Sequence, residues 1–156
     1  MMNQLIEKFP EQLTTALEIG KKTKQAKSSH SFTQVVVSGL GGSGIGASIV
    51  QEYVYDKLKI PFVVNKEYFI PATVGMTTLF IACSYSGNTE ETIHSVQLAK
   101  KAGAHIICIT SGGQLEQFAL KNKLTLYLIP NNMPPRACLG YSLVQILFSL
   151  KKAGLL

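Results

Sequence analysis

Five short apolar runs, at 35–38, 61–64, 79–83, 105–110 and 124–129, alternate with stretches whose apolar residues recur at helical spacing. The runs are continuous rather than alternating, which is how a strand reads when helices cover both of its faces. Strands and helices in alternation form an α/β domain with a parallel sheet and right-handed crossovers. The helices are expected over 43–58, 88–102, from Gly112-Gly113 to about 120, and over 137–152. Ahead of the first strand, residues 5–24 place Leu5, Ile6, Phe9, Leu13 and Leu17 on one helical face, and Pro10 divides that helix into two pieces. A polar link at 27–31 follows. The organisation expected is therefore an N-terminal helical segment, 1–30, and one domain, 31–156.

With 46% hydrophobic and 15% charged residues, the 156-residue chain can bury a substantial core. Mean hydropathy is +0.20, high for a small domain, and predicts apolar surface covered by a further domain or subunit. The last helix is apolar nearly all round (Leu139, Leu143, Val144, Ile146, Leu147, Phe148, Leu150), so it is expected to pack both on the sheet and on a partner. Net charge is +6, but the lysines are scattered and Arg136 is the only arginine. With no arginines interleaved with aromatics, the surface reads as solvated lysine and nucleic-acid binding is not expected. Cys83, Cys108 and Cys138 lack CxxC spacing, so neither a disulfide nor a zinc site is expected, and a reducing cytoplasm fits. No run approaches the roughly 18 apolar residues of a membrane span. The first residues carry no signal-peptide core.

Chemistry concentrates in two loops. The first strand runs into Ser38-Gly39-Leu40-Gly41-Gly42-Ser43-Gly44-Ile45-Gly46 and then directly into a helix. Glycine lets a ligand approach the main chain, and the free N–H groups and positive end of a helix favour an anion. Ser43 adds a hydroxyl. Gly39, Gly41 and Gly44 also match G-x-G-x-x-G, the dinucleotide fingerprint, which requires an acid at the end of the second strand. Asn65 and Lys66 stand there, with Glu67 just beyond, and no Gly-Lys-Ser/Thr of a P-loop follows. A ligand-free glycine turn would also explain this loop taken alone. The third strand opens into Ser84-Tyr85-Ser86-Gly87-Asn88-Thr89-Glu90-Glu91, again before a helix. Ser84, Ser86 and Thr89 offer three hydroxyls, a phosphate cradle that needs no metal. Asn88 fits an N-cap with Glu91 at N3. Glu90 and Glu91 are expected to point sideways, where they complement the helix dipole without repelling the anion. Capping alone explains Asn88 and Glu91 but not two further serines around a glycine. Both loops lie at carboxyl ends of parallel strands, the ligand edge of doubly wound sheets.

Gly39-Leu40-Gly41-Gly42-Ser43-Gly44, Lys66-Glu67-Tyr68-Phe69, Ser84 to Thr89, Thr110-Ser111-Gly112-Gly113 and Pro135-Arg136-Ala137 resemble the SIS (sugar isomerase) domain family of phosphosugar isomerases and phosphosugar-sensing regulators. The resemblance covers about 35–150 and is closest to the first half of the bifunctional phosphoglucose/phosphomannose isomerases. It implies a three-layer αβα fold with a five-stranded parallel sheet in the flavodoxin-like order 2-1-3-4-5. It further implies a phosphorylated hexose as ligand, with Gly42 and Ser43 binding the substrate, Ser84, Ser86 and Thr89 holding its phosphate beside Asn88, and no cofactor or metal. Arg136 would stand by the sugar and stabilise enediolate-like charge. Family members of this type carry two SIS domains, with a catalytic glutamate and a ring-opening histidine in the second. Isomerisation needs a base, plus an acid/base for ring opening. The candidates in this chain are Glu67, after the second strand, and His94, on the helix after the second loop; His30 falls in the link and His105 begins a strand. The remaining catalytic groups are expected from a second SIS domain or a second subunit, docked through the C-terminal helix. The alternative is a sugar-phosphate sensor without turnover, which needs only the two loops.

Overall fold

The computed structural model describes residues 2–131 and 133–156. Strands β1 (Gln34–Ser38), β2 (Phe62–Asn65), β3 (Thr78–Cys83), β4 (His105–Thr110) and β5 (Thr125–Leu128) form one parallel sheet in the order β2-β1-β3-β4-β5. This is the order that the family resemblance implies. Alternate residues of the strands point to opposite faces, and both faces are covered. Val35, Val37, Leu79, Ile81, Ile107 and Ile109 pack with Ala16 of α2 (Phe9–Lys22), with Ala47, Val50 and Val54 of α3 (Gly41–Val54), and with Ile146 and Leu150 of α6 (Leu139–Lys152). Val36, Phe80, Ala82, Ile106 and Cys108 pack with Val96 and Ala99 of α4 (Glu90–Lys101) and with Leu115 and Ala119 of α5 (Gly113–Lys121). A short helix, α1 (Met2–Glu7), precedes α2, and the break falls at Lys8 with Pro10 in the first turn of α2, as its missing N–H allows. Among the described residues no helix is long and apolar enough to cross a membrane.

Helix α6 is apolar nearly all round because it has several neighbours within the chain: the sheet beneath it, and α2 and α3 at its flanks. The buried side chain of Gln145 donates to the carbonyl of Ala16 at 2.7 Å. Lys152 Nζ donates to the carbonyls of Gly20 at 2.6 Å and Thr23 at 2.5 Å, so a cation from α6 satisfies the C-terminal end of α2. The last helix is also shorter than its pattern predicts. Pro135–Ala137 form a separate 3-10 turn, and Cys138 (φ −102°, ψ 13°) breaks the helical path before α6 begins.

Gly20 faces the ring of Phe148 so closely that a methyl group there would overlap it. Gly20→Ala gains helix propensity but must displace a packed ring. It is expected to lower stability by about 1–3 kcal/mol, read as a lower denaturation midpoint at unchanged m-value.

Candidate functional site

The position of the site follows from strand order. The chain leaves β1 for β2 on one side and returns to β3 on the other, so the order reverses between β1 and β3. These two strands pair directly, with Ser38 opposite Ala82 at their carboxyl ends. The loops that follow therefore emerge side by side. They also touch: a Cβ on Gly39 would lie 2.9 Å from the carbonyl oxygen of Cys83. Behind them the buried hydroxyls of Ser38 and Ser95 lie 2.7 Å apart and tie the end of β1 to α4.

After β1, Gly41 takes φ +52°, in the left-handed region that favours glycine, and opens α3. Among the described residues no side chain caps this helix, and its first turn holds no acid. Gly44 N–H donates back to Leu40 at 3.2 Å, which leaves the earlier donors of Gly41, Gly42 and Ser43 available. Beneath Ser43 lies the Cys83 thiol. Burial pushes it up to about 11, and the neighbouring Ser43 hydroxyl pulls the other way.

After β3, Ser84 is buried and spends its hydroxyl on the loop, within 2.8 Å of Thr89 Oγ1 and accepting Gly87 N–H at 3.1 Å. Ser86 is exposed and accepts Asn88 N–H at 3.2 Å. Helix α4 begins at Glu90, later than its sequence pattern predicts, with Thr89 as N-cap residue and no side-chain cap. The expected N-cap role of Asn88 is thus corrected: its Oδ1 accepts Gln114 N–H at 3.1 Å and serves the neighbouring helix α5 instead. Glu90 points away to Tyr68, whose hydroxyl donates to its carboxylate at 3.2 Å.

The two loops enclose a crevice of about 260 Å³ lined by Leu40, Gly41, Gly42, Ser43, Tyr85, Ser86, Thr89 and Pro135. Of the residues expected from sequence, Gly42, Ser43, Ser86 and Thr89 line it. Ser84 organises the loop from behind, and Asn88 braces α5. Arg136 is exposed on the 3-10 turn directly above Gly42. A Cβ on Gly42 would lie 3.0 Å from the Pro135 oxygen and 4.0 Å from Arg136 Cα, so this glycine is what lets the turn close over the loop. Among the described residues no carboxylate pairs with Arg136. Glu67 and His94 do not line the crevice. Glu67 is exposed, and its carbonyl accepts Asn65 Nδ2 at 3.1 Å. His94 Nδ1 is 2.8 Å from the Tyr68 carbonyl oxygen, and its ring meets the edges of Tyr68 and Phe69.

Sequence reasoning passed over Tyr85 as a lining residue. Its hydroxyl accepts Met133 N–H at 3.1 Å and so links this loop to the one carrying Arg136. Its place within the Ser84–Thr89 run was visible, but the contact 48 residues away was not. Larger hollows of about 520 and 390 Å³ lie elsewhere, one by the 25–32 link and the end of α6, the other beside Tyr55 and Leu58. Neither gathers two helix starts, so the smaller crevice is the better anion site on chemistry.

The chain matches the SIS domain family over residues 30–150. It is 46% identical over 155 residues to a bifunctional phosphoglucose/phosphomannose isomerase of Caldicellulosiruptor bescii, a match covering 99% of this chain and 46% of that relative, so the chain spans about half the relative's length. Among solved structures, the C-terminal domain of glucosamine-fructose-6-phosphate aminotransferase from Francisella tularensis superposes with a TM-score of 0.68 at 14% identity, covering 97% of this chain and 48% of that one. The Vibrio vulnificus NanR protein, complexed with ManNAc-6P, superposes with a TM-score of 0.64 at 16% identity, covering 97% and 60%.

Gly87 (φ +70°) is confined twice over: its backbone is left-handed, and a Cβ would run into the Gly112 carbonyl oxygen. Gly87→Ala is expected to cost at least about 1–3 kcal/mol in thermal or chemical unfolding, against a few tenths for an unconstrained surface glycine.

Proposed function

The chain belongs to the SIS domain family, and from that premise we propose that its crevice binds a phosphorylated hexose as part of an aldose–ketose isomerase interconverting glucose 6-phosphate or mannose 6-phosphate with fructose 6-phosphate. One observation carries the reading: two helix starts converge on one crevice and, among the described residues, no side chain caps either. The next helix start, that of α5, does receive one, from Asn88. Unsatisfied donors of α3 and α4, with the hydroxyls of Ser43, Ser86 and Thr89, are what a phosphate and sugar hydroxyls require. In this reading Ser86 and Thr89 hold the phosphate, Ser84 and Asn88 keep that loop in shape, and Gly42 and Ser43 meet the sugar. Arg136 supplies a fixed cation that stabilises enediolate charge as it develops.

Proton transfer between adjacent carbons needs a base within hydrogen-bond reach of the substrate. Glu67 and His94, the in-chain candidates, stand outside the crevice lining, so the base is assigned to a second SIS domain or a second copy. Its seat is the outer face of α3, where Ile45, Ile49 and Tyr53 are 55%, 42% and 57% exposed at successive turns and continue onto Leu147 and Phe148 of α6. Ile45 is two residues from Ser43, so a domain docked there stands beside the crevice. The setting proposed is cytoplasmic, where Cys83, Cys108 and Cys138 remain reduced. The absence of a base from the lining also favours a second reading, a sugar-phosphate sensor without turnover.

Incubation of the purified chain with fructose 6-phosphate, alone and with a second SIS domain, separates the readings: aldose 6-phosphate formed only with the partner supports the isomerase, and tight binding with no product under either condition supports the sensor. Ser86→Ala is expected to weaken binding by about tenfold to a hundredfold, the loss of one hydrogen bond to a charged group. Arg136→Ala is expected to lower the rate more than the affinity. Undiminished binding in Ser86→Ala would show the phosphate site to be misplaced.

A further inference from the structure

The turn that carries Arg136 has little to hold it from within. Pro135–Ala137 is a single 3-10 turn, closed by Ala137 N–H to Pro134 at 2.8 Å and Cys138 N–H to Pro135 at 3.2 Å. Such turns have poor hydrogen-bond geometry, and Pro134 and Pro135 offer no donor of their own. The turn is nevertheless bracketed from outside by one side chain. Gln12, on α2, is 4% exposed and uses both ends of its amide. Its Nε2 donates to the Ala137 carbonyl at 2.7 Å and lies 3.8 Å from Met133 Sδ, and its Oε1 accepts Gly140 N–H at 2.8 Å. The Gly140 donor belongs to the first turn of α6, which no side chain from α6 itself caps. Gly140 is close enough to Gln12 that a Cβ there would lie 2.5 Å from Oε1. Gln12 therefore touches the chain before, within and after the turn, and it does so from a helix that lies outside the matched SIS segment, 30–150.

We propose that Gln12 is a positioning residue for Arg136: the N-terminal helix α2 holds the arginine turn over the crevice by clamping both of its ends. Tyr85 braces the same stretch from the crevice side through Met133, so the turn is gripped between α2 and the phosphate loop. A glutamine is suited to this task because one planar group presents both a donor and an acceptor, and here they meet the part-buried Ala137 carbonyl and the buried Gly140 N–H. The inference rests on the role proposed for Arg136 where it concerns ligand binding, and on packing alone where it concerns the order of the turn.

Gln12→Met keeps the length and helix propensity of the side chain and removes both hydrogen bonds. Two readings test the proposal. Backbone amide order at Arg136 and Ala137, from the 15N heteronuclear NOE of the free chain, is expected to fall in Gln12→Met while that at Ser84–Thr89 stays at the wild-type value. The dissociation constant for fructose 6-phosphate is expected to rise about fivefold in Gln12→Met, yet less than about twofold when the same change is made in Arg136→Ala, with affinity for inorganic phosphate unchanged. Unchanged amide order at Arg136, or an equal loss of sugar-phosphate affinity in both backgrounds, overturns the proposal. If the wild-type chain does not bind fructose 6-phosphate, the proposed function fails and the amide order alone decides the role of Gln12. Should Gln12→Met fail to fold, Gln12→Glu, which keeps the acceptor for Gly140 but not the donor for Ala137, is read in the same way.

Discussion

The pairing of β1 with β3 organises everything else in this molecule. Because these strands are adjacent and parallel, with Ser38 level with Ala82, the loops that leave them are forced side by side. Each loop runs straight into a helix, so the positive ends of α3 and α4 are brought to one crevice. Among the described residues the start of α3 has neither an acid nor a side-chain cap, and the acids of the α4 start, Glu90 and Glu91, stand outside the crevice lining, so both helix ends favour an anion between them. The glycines follow from the same constraint: Gly39 because the two loops touch, and Gly42 because the Arg136 turn closes down onto the first loop.

The fold was largely legible in the sequence because its signals are local. A strand buried on both faces reads as an unbroken apolar run, and Val35–Val37 and Leu79–Cys83 are buried throughout. Pro10 marks the division between α1 and α2, and the glycine-to-helix transitions mark the two site loops. The residues that failed to read are those whose partners are distant. Nothing near Asn88 says that its side chain serves α5 rather than α4, because the donor comes from Gln114 in the first turn of α5, 26 residues away. Gln12 looks like a polar residue on an amphipathic helix, yet its partners are Ala137 and Gly140. Helix α6 is apolar all round, which predicts burial but not by what; α2 and α3 answer within the chain much of what composition would assign to a partner.

The crevice is better equipped to hold than to convert. Its lining offers hydroxyls and main-chain donors, with Arg136 on the turn above Gly42 and in no ion pair among the described residues, and those stabilise negative charge in a ground state or a transition state. Among the described residues it offers no carboxylate or imidazole to move a proton. A division of labour between this chain and a second domain is the simplest chemistry that would complete the proposed isomerisation, and the exposed apolar stripe along α3 begins at Ile45, two residues from Ser43 of the crevice lining.

The central claim is that the two loops and the arginine turn form one sugar-phosphate site. Titration of the 15N-labelled chain with fructose 6-phosphate, followed by amide chemical shifts, tests it most directly. The account predicts saturable shifts at Gly41–Gly44, at Ser84–Glu91 and at Arg136–Ala137 that share a single dissociation constant. Shifts that cluster instead around the 25–32 link, or that appear at one loop without the other, would contradict it.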